Sequence, residues 1–158
     1  MKIRIITSLL GLGLGWASGQ AAEKTSSPSS APPAAVPAPE WDKLFRGVAL
    51  PAVWRDTQAA LARIAAEIPT QNFASVAESA ERIHLAAHAL EDQVKLGDVE
   101  RQKRLGGALR QAAKIADDVI AAAEHKEPER LAEAFRRLSA ALRLTALRLP
   151  KEITDALK

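Results

Sequence analysis

The stretch LPAVWRDTQAALARIAAEIP, residues 50–69, decides the fold. Leu50, Trp54, Thr57, Leu61, Ile64 and Ile68 recur at alternating steps of four and three, and that spacing draws one stripe along an α-helix, whose turn repeats every 3.6 residues. Pro51 suits the first turn, where a missing N–H is no loss, and Pro69 ends the run.

The same spacing returns three times downstream. Phe73, Val76, Ala80, Ile83, Ala87, Leu90 and Val94 predict a second helix ending at Gly97. Leu105, Leu109, Ala112, Ala116, Val119 and Ala123 predict a third, with Asp98 as its N-cap. Leu131, Phe135, Leu138, Leu142, Thr145 and Leu149 predict a fourth, opened by Pro128 and closed by Pro150. No strand pattern competes. Four amphipathic helices with short connections imply an all-α fold, an antiparallel up-down four-helix bundle.

The two halves match when shifted by 55 positions. Trp54 falls on Leu109, Ile64 on Val119, Val76 on Leu131, Ile83 on Leu138 and Val94 on Leu149, while Phe73 falls on Pro128 at a helix start. VAESAERI against LAEAFRRL keeps Ala77 with Ala132, Glu78 with Glu133 and Arg82 with Arg137. Two repeated αα-hairpins are the economical reading. The expected core is built from alanine and leucine, so helices approach closely and leave no room for a large cofactor, with Gly106 and Gly107 permitting close packing. Trp41, Leu44 and Phe45 form an apolar segment expected to fold over one end of the bundle or to dock a partner.

Upstream, Lys2 and Arg4 precede an apolar run from Ile5 to Ala17 and then small residues, the pattern of a secretory signal peptide cleaved after Ala21. That run is shorter than the roughly 20 residues a membrane span needs, so no stable membrane insertion is expected after cleavage. The domain reading is a signal peptide over 1–21, a Pro/Ser/Ala-rich flexible linker over 22–39, the bundle over 40–153 and a tail over 154–158. The chain is therefore expected to be periplasmic or secreted. It has no cysteine, which excludes disulfides, thiolate metal sites, a lipoprotein anchor and covalent haem attachment.

Removing Lys2 and Arg4 leaves 20 basic residues against 19 acidic, so the net charge of +3 is mostly a targeting effect and nucleic-acid binding loses its support. The remaining charge is polarised lengthwise. Acids including Glu78, Asp117, Asp118 and Glu133 gather toward the hairpin turns, and Arg101, Lys103, Arg104, Arg143 and Arg148 gather at the opposite end, where anionic lipid or an acidic partner would be met. No His-Glu-x-x-His run, phosphate-cradling glycine loop or Gly-x-Ser-x-Gly elbow is present, so no enzyme activity is expected.

One stretch has two readings, a transition-metal site and a solvated helix face. In ERIHLAAHALED, residues 81–92, His84 and His88 stand one helical turn apart with Glu81 one turn before. Histidines at this spacing share a transition-metal ion through their ring nitrogens, and Glu-x-x-His is half of a carboxylate-bridged site. The wheel places His84 at the edge of the buried stripe and Glu81 and His88 toward solvent. The other half has Arg136, Ser139 and Arg143 at the matching positions, so the repeat does not complete a di-metal site. The candidate metal residues are thus His84, His88 and Glu81, for Cu(II), Ni(II) or Zn(II). His125, in the connection before the fourth helix, stands apart from them.

From LPAVW to RLPKEI, about Leu50 to Ile153, the layout resembles that of exported four-helix bundles typified by the soluble periplasmic cytochromes b and c-prime. It is closer to small periplasmic bundle proteins in which a tryptophan opens the first helix and a helix-turn-helix occurs twice, some linked to heavy-metal handling. The resemblance implies a bundle fold and, for the cytochromes, haem. Haem is disfavoured: no methionine ligand survives removal of Met1, no attachment motif exists, and Ala77 stands where those smaller relatives often carry a histidine. The resulting expectation is an exported, non-catalytic binding module with weak transition-metal binding. The alternative is a structural adaptor meeting an envelope protein partner or an envelope surface.

Overall fold

A computed structural model describes residues 40–155. The signal-peptide and linker expectations, and the last three residues, lie outside them. Every regular element described is helical: α1 (Glu40–Phe45), α2 (Leu50–Glu67), α3 (Phe73–Gln93), α4 (Val99–Glu124), α5 (Pro128–Ala146) and α6 (Lys151–Thr154). The four long helices begin and end within a few residues of the expected bounds, α4 starting directly after its expected N-cap Asp98. Short α6 carries helix across the boundary expected at 153, because Ile153 is buried.

Each long helix has a local reason to start. Pro51 and Pro128 occupy the first turns of α2 and α5. The Asn72 side chain accepts from the Ser75 N–H at 3.4 Å, and Asp98 accepts from the Arg101 N–H at 2.7 Å, satisfying donors that have no partner within the helix. Between α3 and α4, Gln102 holds the connection from both sides: its Oε1 accepts from Leu96 N–H at 2.7 Å and its Nε2 donates to the Val94 carbonyl at 3.0 Å.

The turns after α2 and α4 share one backbone geometry. Gln71 and Lys126, 55 positions apart, are the two non-glycine residues described with positive φ, both at 55°. Around them Asn72 N–H bonds the Glu67 carbonyl and Gln71 N–H that of Ile68, while Glu127 N–H bonds Ala122 and Lys126 N–H bonds Ala123. This is the Schellman arrangement, in which the left-handed residue turns the chain back onto the helix's last carbonyls.

Consecutive long helices pack against each other, α3 with α4 most extensively, whereas α2 and α5 approach only narrowly; α1 lies on α3 and α6 on α2. Of the stripe residues, Trp54, Thr57, Ile64, Val76, Ile83, Leu90, Leu109, Val119, Leu131, Leu138 and Leu142 are among those buried. Leu50, Leu61, Ile68, Phe73 and Phe135 are half-buried stripe margins. A second row is buried as well, including Val53, Ala60, Ala86, Ala113, Ile115 and Ala122, because a helix flanked by two neighbours hides a wider arc than one stripe. The buried Thr57 and Thr145 hydroxyls donate to the carbonyls four residues back, at 2.9 Å each.

Ion pairs cross the helices in a regular order. His84 of α3 meets Asp117 of α4, and seven residues further along α3, Glu91 meets Arg110, seven residues earlier in α4. Asp56 of α2 meets Arg82 of α3, and seven residues further along α2, Arg63 donates to Ser75, seven residues earlier in α3.

Candidate functional site

The site is built on the outer flank of α3. His84 and His88 follow from the helical repeat, their ring centroids 4.7 Å apart and their planes at 64°, edge toward face. His84 is held from behind by α4: its Nδ1 lies 2.7 Å from Asp117 Oδ1, with its side chain 26% exposed. The oxygen is off the N–H axis, so the contact is electrostatic and not a directed hydrogen bond. His88 is half-buried, not turned fully to solvent as the helical wheel implies. The reason is α1, whose Trp41 joins His88, Glu91 and Asp92 around a cleft of about 400 Å³. Phe45 anchors α1 in the core, and its carbonyl lies 3.5 Å from Gln93 Nε2.

Glu91 closes the floor by pairing with Arg110, and Gly106 makes room for that pair: a Cβ there would stand 3.4 Å from Glu91 Oε1 and from Arg110 Nη1. Gly107 has open space around it, so the close-packing expectation fits Gly106 alone.

Glu81 is exposed, and among the described residues no hydrogen bond or ion pair links it to either histidine. The carboxylate the fold brings to His84 is Asp117, which sequence spacing missed because it lies on another helix. The signal for it is the cross-helix register that places 84 opposite 117 as it places 91 opposite 110. Among the described residues no three His, Asp or Glu side chains converge as a ready-made metal cage. What the flank offers is two adjacent imidazoles, edge toward face, with a carboxylate beside one ring; imidazole nitrogen is a donor type that suits Cu(II), Ni(II) and Zn(II). His125 caps α4, exposed and apart from the pair.

Part of the acidic tip expected from the sequence is paired within the chain. Asp118 pairs with Arg137 at 3.4 Å, Glu127 with Arg130 at 2.9 Å and Glu78 with Arg63 at 3.9 Å. In the cleft between α2 and α3, the hydrogen bond from Arg82 to Asp56 holds the Arg82 guanidinium above its ordinary pKa.

No helix among the described residues is long and apolar enough to cross a membrane. Comparison of the chain with protein-family models, with curated proteins and with solved structures finds no match.

Proposed function

We propose that the chain is an exported, non-catalytic binding module, an antiparallel up-down four-helix bundle made of two copies of one αα-hairpin, that takes a first-row transition-metal ion on His84 and His88. The opposed numerical order of the ion pairs between α2 and α3 and between α3 and α4 supports the antiparallel course. The matching turns at Gln71 and Lys126 support the duplication. So do two clefts at corresponding positions: Arg63, Glu78, Ser79 and Arg82 in one correspond to Asp118, Glu133, Ala134 and Arg137 in the other. Export rests on the N-terminal pattern of residues 1–21.

The observation that carries the metal reading is the pair of adjacent imidazoles, ring centroids 4.7 Å apart, with Asp117 Oδ1 2.7 Å from Nδ1 of His84. A ligand bound only to the folded chain raises its stability, by about 2.7 kcal/mol at a hundredfold excess over Kd. Calorimetry with Cu(II), Ni(II) and Zn(II) is expected to show one site, with a matching rise in melting temperature, both lost in His84→Ala/His88→Ala. Asp117→Asn is expected to weaken binding, because it removes the negative charge beside His84. Glu81→Gln tests the remaining carboxylate of the motif. Equal heat in the wild type and the double variant refutes the site.

A second reading, an adaptor for an envelope partner or surface, is favoured by the exposure of Val99 at 79% and Leu147 at 84% at the basic end.

A further inference from the structure

Five arginines on the flanks of the helices, Arg63, Arg82, Arg110, Arg130 and Arg137, each pair with an acid, whereas among the described residues Arg136 and Arg143 on α5 do not. Arg101 and Arg104 near the start of α4 and Arg148 just after α5 also differ from those five. All three are exposed, they line one shallow cleft of about 250 Å³ with Leu147, and among the described residues their side chains have no ion-pair or hydrogen-bond partner. Asp98, at the N-cap of α4, is engaged in capping the Arg101 N–H.

This placement works against the helix. The N-terminus of α4 carries the positive end of its macrodipole, where carboxylates stabilise and cations do not. Glu100 is the one acid in that first turn, and Arg101, Lys103 and Arg104 follow it closely. Asp98 at the N-cap and Glu100 offset part of this, and an anionic surface outside the chain would offset more.

The same end carries three of the four large hydrophobic side chains described as exposed: Val99 at 79%, Leu144 at 54% and Leu147 at 84%. Leu144, Leu147 and Arg148 share one face of the end of α5 by their spacing, and Val99 opens the turn of α4 that holds Arg101. Apolar tips among cations whose aliphatic stems also bury are the chemistry of the bilayer interface. A protein partner would need a continuous complementary face of roughly 800 Å² on each side, whereas these tips project from two helix ends around a shallow cleft. A fluid lipid surface accepts such projections without matching their shape.

We infer that this end of the molecule docks peripherally on an anionic lipid surface, with Arg101, Arg104 and Arg148 on headgroup phosphates and Leu147 and Val99 entering the acyl boundary. The inference does not depend on the histidine pair.

The test is co-sedimentation of the full chain with phosphatidylcholine vesicles, with and without phosphatidylglycerol. Each variant keeps residues 1–39, so any membrane affinity of that segment cancels in the comparison. Binding is expected to require phosphatidylglycerol, to weaken with salt because exposed charges are screened, and to fall by about a hundredfold in Arg101→Glu/Arg104→Glu/Arg148→Glu. Leu147→Asp, at a position that does not support the core, is expected to lower binding by about tenfold with unchanged helix content and melting temperature. A fluorophore on Leu144→Cys, the sole thiol in the chain, is expected to shift to the blue on the anionic vesicles. His84→Ala/His88→Ala is expected to bind vesicles as the wild type does.

Equal vesicle binding by the wild type and both charge and leucine variants overturns the inference. So does displacement by inorganic phosphate alone, which would make the cleft a simple anion site. Binding to polyglutamate with the same arginine dependence and none to vesicles overturns it in favour of an acidic protein.

Discussion

Position by position, the hairpin of α2 and α3 and the hairpin of α4 and α5 share many buried positions and differ at many exposed ones, although exposed Glu78 and Arg82 recur as Glu133 and Arg137 and buried Ala89 corresponds to exposed Leu144. Thr57 and Ala112, Ala60 and Ile115, Ile64 and Val119, Ile83 and Leu138, Ala87 and Leu142, and Leu90 and Thr145 are corresponding pairs, and every member is buried. On the surface, His84 and His88 correspond to Ser139 and Arg143, Asp92 to Leu147 and Gln93 to Arg148. Helix α4 also extends six residues earlier than the counterpart of Leu50. Those positions are buried in both hairpins; the side chains of each proposed site have different residues 55 positions away. The metal flank belongs to the first hairpin, which α1 covers, and the basic apolar end belongs to the second.

The largest expected effect tests the shared part. Ile83 and Leu138 are both fully buried, at 0% exposure. Truncating either to alanine removes transfer free energy and leaves a cavity, so Ile83→Ala and Leu138→Ala are each expected to cost about 3 kcal/mol in urea unfolding. A cost below about 1 kcal/mol for one beside the full cost for the other would break the equivalence, since a site that collapses around its cavity is not packed like its counterpart.

A smaller effect tests where the hairpins depart. Gly106 and Gly107 of α4 correspond to Pro51 and Ala52, the residues that open α2, so the second hairpin carries glycines in mid-helix where the first begins its helix. Gly107 is exposed, with open space where a methyl group would stand, and Gly107→Ala is expected to add about 1 kcal/mol of stability, as glycine is that much poorer than alanine in a helix interior. Gly106→Ala is expected to gain less, because its Cβ meets Glu91 and Arg110. Thermal melts of the two variants measure the difference directly.

Much of this was legible in the chain. The stripes placed four helices and their turns because burial on one face imposes the 3.6-residue period whatever the neighbours are. The arrangement around the histidines was not legible in the same way. Asp117 reaches His84 only through the register between α3 and α4, and His88 shares its cleft with Trp41, which lies on α1. Periodicity speaks of one helix at a time. The exposure of Leu147 and Val99 escaped for the converse reason: both sit just at helix ends, where the stripe no longer determines what is covered.

The smallest effect probes the turns. Gln71 and Lys126 hold φ at 55°, a conformation that costs a residue with a Cβ roughly 1–2 kcal/mol relative to the right-handed one. Glycine removes that strain but adds freedom to the unfolded chain, which takes back about 0.4–1 kcal/mol. Gln71→Gly and Lys126→Gly are therefore each expected to stabilise by about 0.5 kcal/mol, read from the urea midpoint at constant slope. The two turns use the same pair of backbone hydrogen bonds, so equal gains would mean that this geometry alone sets the energy. Unequal gains would locate the difference in their neighbours, Pro69 and Thr70 before the first turn and Glu124 and His125 before the second, and would make the turns another place where one hairpin has departed from the other.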